Sequence, residues 1–344
     1  MDTRWHNNTA IFYARKFLRT VSGPKPLLKR VLLTVQGMGL GPDIPTYNFM
    51  DPILECKNLT HHYGERLIYE NLNFTIEKGK ILGLLGKNGT GKTTTINILT
   101  GYLRPTSGEC KVFGEHSHSI SPATKARIGF LIEGHIQYDF MNIHQIETFY
   151  SQFYPNWKPE PYFELMSKLK VGPKQKISTM SCGQRSQVAL GLILAQDPEF
   201  MVLDDFSMGL DPGYRRLFIE YLQEYAKAEN KTIFTTSHII QDMERLIDDC
   251  LIMDYNRVLV QTPVRELLDK FKEYSFTDIN KNGDLPTGGP IQNAERSGDL
   301  IRVFSFENHS TVESYIKNQG FATDKIIEKN LTLEDAFIGL TGKY

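Results

Sequence analysis

Short apolar runs alternate with helical stretches through the middle of this chain, from Ile53 to about Asp269. The region opens with pieces typical of an antiparallel pair, around Leu54–Asn58 and Leu72–Ile76. Helices are expected at Thr94–Leu99 and Ile143–Tyr154. The remaining runs are continuously apolar, as in strands buried on both faces, at Ile81–Leu85, Phe200–Leu203, Thr232–Thr236 and Leu251–Met253. This order predicts an α/β fold with a mainly parallel sheet.

The pattern differs in residues 1–49, which hold seven Lys/Arg and only two acids. The sequence predicts a basic, disordered extension here, because Pro24 and Pro26 interrupt any regular element. The alternative is that Ile11–Leu18 forms a short basic amphipathic helix, similar to a surface anchor or a transit peptide.

Residues 270–344 have a β-α-β pattern of their own and predict a small α+β accessory domain. Strands are expected at Leu300–Phe306 and Lys325–Glu328, and helices at Ser310–Gln319 and Leu333–Ile338. The sequence therefore predicts three parts: an extension over 1–49, a large α/β domain over 50–269 with a helical subdomain at about 134–195, and the accessory domain over 270–344.

Composition excludes several classes of protein. The 39 Lys/Arg balance 40 Asp/Glu, so the chain lacks the basic excess of a dedicated nucleic-acid binder. No run approaches the 18 or so apolar residues that span a bilayer, so the chain is not expected to form a transmembrane pathway by itself. The cysteines lie far apart without a CxxC pair, which argues against a disulfide framework or zinc site and fits a reducing cytosol. They are Cys56, Cys110, Cys182 and Cys250.

The strongest motif fits G-x-x-x-x-G-K-[ST] in full. It follows a predicted strand and precedes a predicted helix, which is the context that a phosphate-binding loop requires. Glycines let successive amides point at phosphate oxygens, Lys92 reaches the β- and γ-phosphates, and the Thr93 hydroxyl coordinates Mg²⁺. The predicted nucleotide-binding residues are Gly86, Lys87, Asn88, Gly89, Thr90, Gly91, Lys92, Thr93 and Thr94.

Two carboxylates end the predicted strand Phe200–Leu203. Ligands of open α/β sheets bind at the carboxyl ends of the strands, so Asp204 and Asp205 should lie at the nucleotide. Asp204 is expected to hold Mg²⁺, which prefers hard oxygen ligands, and Asp205 to act as the general base toward water.

Further motifs resemble those of one family. Met180-Ser181-Cys182-Gly183-Gln184 is similar to the L-S-G-G-Q signature of ABC ATPases, and Phe206–Pro212 to their P-T-S-G-L-D-P. His238 follows the strand Thr232–Thr236 at the family's histidine position. The resemblance runs from about Ile53 to Met253, with every motif in family order.

The resemblance implies further nucleotide contacts. Tyr63 would stack on adenine, and the alternative is that it is an ordinary hairpin tyrosine without a role in binding. Glu133 stands at the place of the glutamine that senses Mg²⁺ and couples to the membrane subunit. His238 would contact the γ-phosphate and position water, as a second catalytic residue, and the alternative is a histidine with a structural role only.

The resemblance also implies that two ATP-binding subunits, identical or different, form a head-to-tail dimer. Ser181, Gly183 and Gln184 would then meet the nucleotide bound by the opposite subunit, and Asp211 would cross the interface. The tail from Leu331 to Gly342 resembles that of bacterial exporter ATPases of the bacitracin- and lantibiotic-resistance type. A separate transmembrane permease, and a position at the cytoplasmic face of the membrane, follow from that likeness.

Three departures from the family pattern bear on catalysis. Asp205 replaces the usual glutamate, Cys182 replaces a signature glycine, and Glu133 replaces glutamine. A catalytic group misplaced by about 1 Å can cost on the order of a hundredfold, so slow hydrolysis is expected. The alternative function is a soluble ATP-dependent clamp with little turnover, not dedicated to transport.

Overall fold

The computed structural model describes residues 52–131, 138–168, 171–207, 209–279, 284–323 and 325–342. Two predictions concern residues outside these described ranges: the basic extension over 1–49 and the role of Glu133 as a metal ligand.

The strands are β1 (Leu54–Tyr63), β2 (Arg66–Ile76), β3 (Ile81–Gly86), β4 (Ser107–Val112), β5 (Glu115–His116), β6 (Ile128–Leu131), β7 (Phe200–Asp204), β8 (Thr232–Thr236), β9 (Asp249–Asp254), β10 (Arg257–Pro263), β11 (Lys272–Thr277), β12 (Ile291–Ser297), β13 (Leu300–Ser305) and β14 (Ile327–Asn330). The α-helices are α1 (Lys92–Leu99), α2 (Pro122–Lys125), α3 (Ile143–Ser151), α4 (Pro159–Lys168), α5 (Cys182–Ala195), α6 (Pro212–Ala228), α7 (Ile240–Leu246), α8 (Val264–Lys270), α9 (His309–Asn318) and α10 (Leu333–Thr341).

A six-stranded sheet of order β10-β9-β3-β8-β7-β6 forms the centre, and all its strands are parallel except β10. Its apolar runs are buried because both faces are covered. On β3, Ile81 and Leu85 face the core beneath the helices, whereas Leu82 and Leu84 face the core shared with an antiparallel sheet. The predicted parallel sheet is confirmed.

The antiparallel sheet has the order β2-β1-β4-β5 and includes the predicted early pair. It packs through Leu54, Leu72 and Val112 against one face of the central sheet, together with α1. Helices α3, α4 and α5 lie on the other side and form the helical part expected from the sequence, with Tyr162 and Leu165 fully buried among them.

The C-terminal residues form a third sheet of order β12-β13-β11-β14, antiparallel throughout. The strand predicted at Lys325–Glu328 lies instead at Ile327–Asn330. Every residue of β14 is exposed, so no alternation of apolar and polar positions marks its start, and only pairing with β11 fixes it. In the described residues, no helix is long and apolar enough to cross a membrane.

Candidate functional site

The phosphate loop connects β3 to α1 at the carboxyl edge of the central sheet. Gly89 and Gly91 have φ angles of 81° and 103°, in the left-handed region that favours glycine. Gly91 also precedes α1, and since it has no side chain, it leaves the first amides of the helix to a ligand. A Cβ atom there would lie 2.7 Å from Ile68, so the loop requires glycine at this position. These features build an anion site at a helix N-terminus.

The side chains of the loop take distinct positions. Thr90 and Thr94 are buried, whereas Thr93 is exposed beside the start of α1. The ammonium of Lys92 donates to the carbonyl oxygens of Gly86 and Lys87, at 2.7 and 3.1 Å. Burial lowers the pKa of Lys92, while the negative charges of Asp205 and Asp204 raise it by a smaller amount. Lys92 thus lies within electrostatic reach of both carboxylates.

The β1–β2 hairpin lies beside the loop. Tyr63 ends β1, pairs with Arg66, and is 49% exposed, with its ring edge-on to His61. The Nη2 atom of Arg66 is 3.6 Å from where a Cβ atom on Gly89 would be. Tyr63 thus presents an exposed aromatic ring in the hairpin whose Arg66 lies near the loop. Sequence reasoning did not name Arg66 as a residue beside the phosphate loop. Its positive charge in the hairpin was the only sequence feature that could have indicated this position.

Asp204 is the last residue of β7, and its Oδ1 atom accepts a short hydrogen bond from the hydroxyl of Thr236 on β8. Burial raises the pKa of Asp204, and the charge of Asp205 adds to the increase. Mg²⁺ keeps several waters and takes one or two carboxylates plus phosphate oxygens. Asp204 and the exposed Thr93 hydroxyl supply the oxygen donors that suit this ion. Sequence reasoning did not foresee the role of Thr236, which is buried in its strand.

Asp205 has a φ of 44° and turns its side chain toward His238. Its Oδ1 atom accepts a 2.9 Å hydrogen bond from the His238 amide, and its Oδ2 atom lies 2.8 Å from Nε2 of the imidazole. The Asp205 side chain is 10% exposed and the His238 side chain 54%. The two residues predicted to be catalytic are therefore in direct contact.

The signature segment begins α5. Ser181 precedes the helix and accepts a hydrogen bond from the Gln184 amide, while the Gln184 side chain accepts one from the Ser181 amide. This reciprocal capping box fixes the helix end. Gly183 is buried, and a Cβ atom there would lie 2.8 Å from the carbonyl oxygen of Gly209. The signature thus packs on the segment that follows the Asp205 strand, while Cys182 is exposed.

The segment after Asp205 is held by a network that sequence reasoning missed. Ser207 donates to buried Asp242 on α7 at 3.2 Å, and Arg215 on α6 lies 3.5 Å from the same carboxylate. Arg215 also donates to the carbonyl of Leu210. Asp211 caps α6 by accepting hydrogen bonds from the Gly213 and Tyr214 amides. Its predicted place across a dimer interface is not tested by these contacts.

An exposed aromatic cluster is formed by α3 and the residues that flank it in the helical part. Phe140 and Phe153 are both 64% exposed, and Tyr138 is 41% exposed. Phe149 joins them, with ring centroids 4.9 Å from Tyr138 and 5.2 Å from Phe153. Contiguous exposed apolar surface of this kind is typical of a protein contact.

Residues 69–207 match the family model described as ABC transporter. The chain is 29% identical over 301 residues to the bacitracin transport ATP-binding protein BcrA of Bacillus licheniformis, covering 85% of this chain and 98% of that protein. It is 27% identical to the Nod factor export ATP-binding protein I of Ralstonia nicotianae, covering 85% of this chain and 94% of that protein.

Solved structures agree in fold. One, described as an ATP binding subunit of an ABC transporter, has a TM-score of 0.55 at 22% identity and covers 63% of this chain and 92% of its own. The structure of cbiO1 from Clostridium perfringens has a TM-score of 0.55 at 22% identity, and the match covers 64% of this chain and 92% of that chain. The family model, the matched relatives and the fold agree with the motif order predicted from the sequence: this chain carries an ABC transporter domain at residues 69–207 and is similar to the ATP-binding proteins of such transporters.

Proposed function

We propose that this chain binds and hydrolyses ATP to power a membrane transporter whose membrane-spanning part is a separate polypeptide. One observation carries the proposal: the phosphate loop after β3, the carboxylates after β7 and His238 after β8 meet at one edge of the sheet. The relatives named for bacitracin transport and Nod factor export support an exporter.

ATP binding begins at the loop amides, which donate to the phosphate oxygens at the start of α1. Lys92 exchanges the carbonyls of Gly86 and Lys87 for oxygens of the β- and γ-phosphates. Tyr63, which is exposed beside the loop, stacks on adenine. Thr93 and Asp204 would hold Mg²⁺, with Glu133 as a further candidate ligand. When bound, Mg²⁺ neutralises charge on the phosphoryl group.

In hydrolysis, a water oxygen bonds to the γ-phosphorus while the bond to the β–γ bridging oxygen breaks. Asp205 accepts the proton of that water as general base, and His238 contacts the γ-phosphate and orients the water. The Asp205 carboxylate contacts both the amide and the imidazole of His238. To act as a base, it must therefore loosen these contacts or accept a proton while it keeps them. The arrangement therefore favours slow turnover.

Each complete site requires a second ATP-binding subunit, identical or different. Ser181, Gly183 and Gln184 of one subunit would face the nucleotide of the other. Within one subunit, Gly183 packs on Gly209 and so couples the signature to the segment that follows the general base. When the dimer closes on ATP and reopens after hydrolysis, the signature and the segment after the general base would then move together.

The aromatic cluster of Tyr138, Phe140, Phe149 and Phe153 is the proposed contact with a cytoplasmic segment of the permease. The chain would accordingly lie peripherally at the cytoplasmic face of the membrane. We propose residues 50–269 as the ATP-binding domain, 270–344 as the accessory domain, and 1–49 as an extension outside both.

A second candidate function is an ATP-controlled clamp with little turnover, and the engagement of Asp205 by His238 is the observation that favours it. Transport and clamp differ in whether a permease is required, so copurification with a polytopic membrane protein separates them. We expect a permease to copurify with the wild-type chain and to be lost from Phe140→Ser/Phe153→Ser.

The control is Ile327→Ser, which removes an apolar side chain that is 54% exposed in the C-terminal sheet. It should retain the permease. Recovery of the wild-type chain without any polytopic protein would contradict the transport function. Equal recovery of the permease with the Phe140→Ser/Phe153→Ser chain would contradict the proposed contact surface alone.

A further inference from the structure

The last helix of the chain, α10, contacts the phosphate loop directly. Its final residue, Thr341, accepts a 2.7 Å hydrogen bond at the main-chain carbonyl from the Nζ atom of Lys87. Lys87 is the second residue of the loop and is only 7% exposed. The last carbonyls of a helix have no partner within the helix and form its negative end, so an ammonium group is favourable there. This hydrogen bond is also charge-assisted.

Lys87 joins α10 to the rest of the loop. While its side chain donates to Thr341, its main-chain carbonyl accepts hydrogen bonds from the Thr90 hydroxyl at 2.9 Å and from Lys92 Nζ at 3.1 Å. The lysine expected to hold the triphosphate and the carboxyl end of α10 are therefore bound to the same residue. A shift of α10 would move the carbonyl to which Lys92 donates.

The amino end of α10 contacts the other side of the site. The Leu333 amide donates to Glu244 at 2.8 Å, and Glu334 accepts a hydrogen bond from Gln241 at 3.0 Å. Glu244 and Gln241 both belong to α7, which follows His238 closely in the chain. One short helix thus spans from the His238 segment to the phosphate loop.

Helix α10 is also fixed to the C-terminal sheet. Leu333, Ala336 and Phe337 are buried in the main core, in the same cluster as Phe304 of β13 and Phe271, the residue before β11. Displacement of the C-terminal sheet would therefore move α10, and with it the hydrogen bond to Lys87.

We propose that α10 is a positioning element for the phosphate loop, and that the hydrogen bond from Lys87 to Thr341 holds the loop in the shape that binds ATP. Coupling between two sites is reciprocal, so ATP must also strengthen the docking of α10. Through this helix, the C-terminal sheet sets the affinity for nucleotide. The inference rests on ATP binding at the loop.

The test combines ATP affinity with hydrogen exchange of the amides of residues 333–342 in the full chain. Lys87→Met removes the ammonium and keeps the apolar stem, Lys87→Arg restores a donor, and Lys329→Met is a control that removes a positive charge from β14. We expect Lys87→Met to weaken ATP binding roughly fivefold to fiftyfold, within the usual range of coupling between sites. Lys87→Arg should recover most of the affinity, and Lys329→Met should match wild type.

In the wild-type chain, ATP should slow exchange in α10, and Lys87→Met should abolish this response. Faster exchange in α10 on adding ATP would overturn the inference, since it would mean that Lys87 leaves Thr341 for the phosphates. Unchanged affinity of Lys87→Met would overturn it as well. Failure of the wild-type chain to bind ATP would instead refute the proposed function, and the inference with it.

Discussion

Asp205 binds His238 at two atoms, through the backbone amide at 2.9 Å and through the imidazole at 2.8 Å. The pair follows two adjacent strands, β7 and β8, and Asp205 completes the contact with a left-handed φ of 44°. The shorter carboxylate is thus bonded to the residue expected to position water. This contact is the structural basis for expecting slow hydrolysis.

Asp205→Glu should raise steady-state ATP turnover and leave ATP affinity nearly unchanged. The longer side chain moves the carboxylate away from the His238 amide, and the position of a general base is typically worth about 10²–10⁴ in rate. Two of the departures, Asp205 and Cys182, would act at different sites of a dimer with an intact partner, so neither site would match the family pattern fully. The assay is ATPase activity of the reconstituted complex, with affinity measured separately.

Asp205→Asn is the control for this change, because it keeps the size of the side chain and removes its basicity. It should lower turnover further without loss of ATP binding. An unchanged or lower rate for Asp205→Glu would mean that the site works with the shorter carboxylate, and the account of slow turnover would be wrong.

Gly183→Ala should reduce turnover strongly, whereas Cys182→Gly should change it little. A Cβ atom at Gly183 would lie 2.8 Å from the carbonyl oxygen of Gly209, so the signature or the segment after Asp205 must shift. Cys182 is exposed, and its substitution leaves the Ser181–Gln184 capping box in place. The comparison uses steady-state ATPase of both variants after their folding is verified by thermal unfolding. Equal rates for the two variants would refute the proposed role of this packing.

A chain that starts at Met50 should bind ATP and associate with its permease like the full chain. The reason is the break in composition, since the basic segment 1–49 precedes the first residue of the recognised pattern, Ile53. Nucleotide affinity and the amount of recovered permease provide the measurement. Loss of membrane association by the shortened chain would favour the basic amphipathic helix at Ile11–Leu18.

The sequence predicted the elements with strong local signals. The central strands are continuously apolar because both faces are covered, and the predicted span Thr232–Thr236 matches β8. The phosphate loop was predictable because its glycines and Lys92 act within one short segment. By contrast, all residues of β14 are exposed, so buried and exposed positions do not alternate along it. The predicted strand therefore began two residues before the observed one.

Contacts between distant segments were not predictable. Lys87 and Thr341 are 254 positions apart, and no local pattern shows that a loop lysine caps the last helix. The same holds for Thr236 with Asp204 and for Ser207 with Asp242, which depend on how strands and helices assemble. Asp205 likewise combines its positive φ with contacts to Thr236 and His238, which lie more than thirty positions away in the sequence.

The most direct test of ATP binding at this loop is the affinity of Lys92→Ala for ATP, beside an exposed-lysine control, Lys125→Ala. Lys92 donates only to loop carbonyls among its described contacts, so its loss should leave the fold intact, as thermal unfolding would verify. The account predicts that wild type and Lys125→Ala bind ATP alike and that Lys92→Ala does not bind. Undiminished ATP binding by a folded Lys92→Ala chain would contradict it.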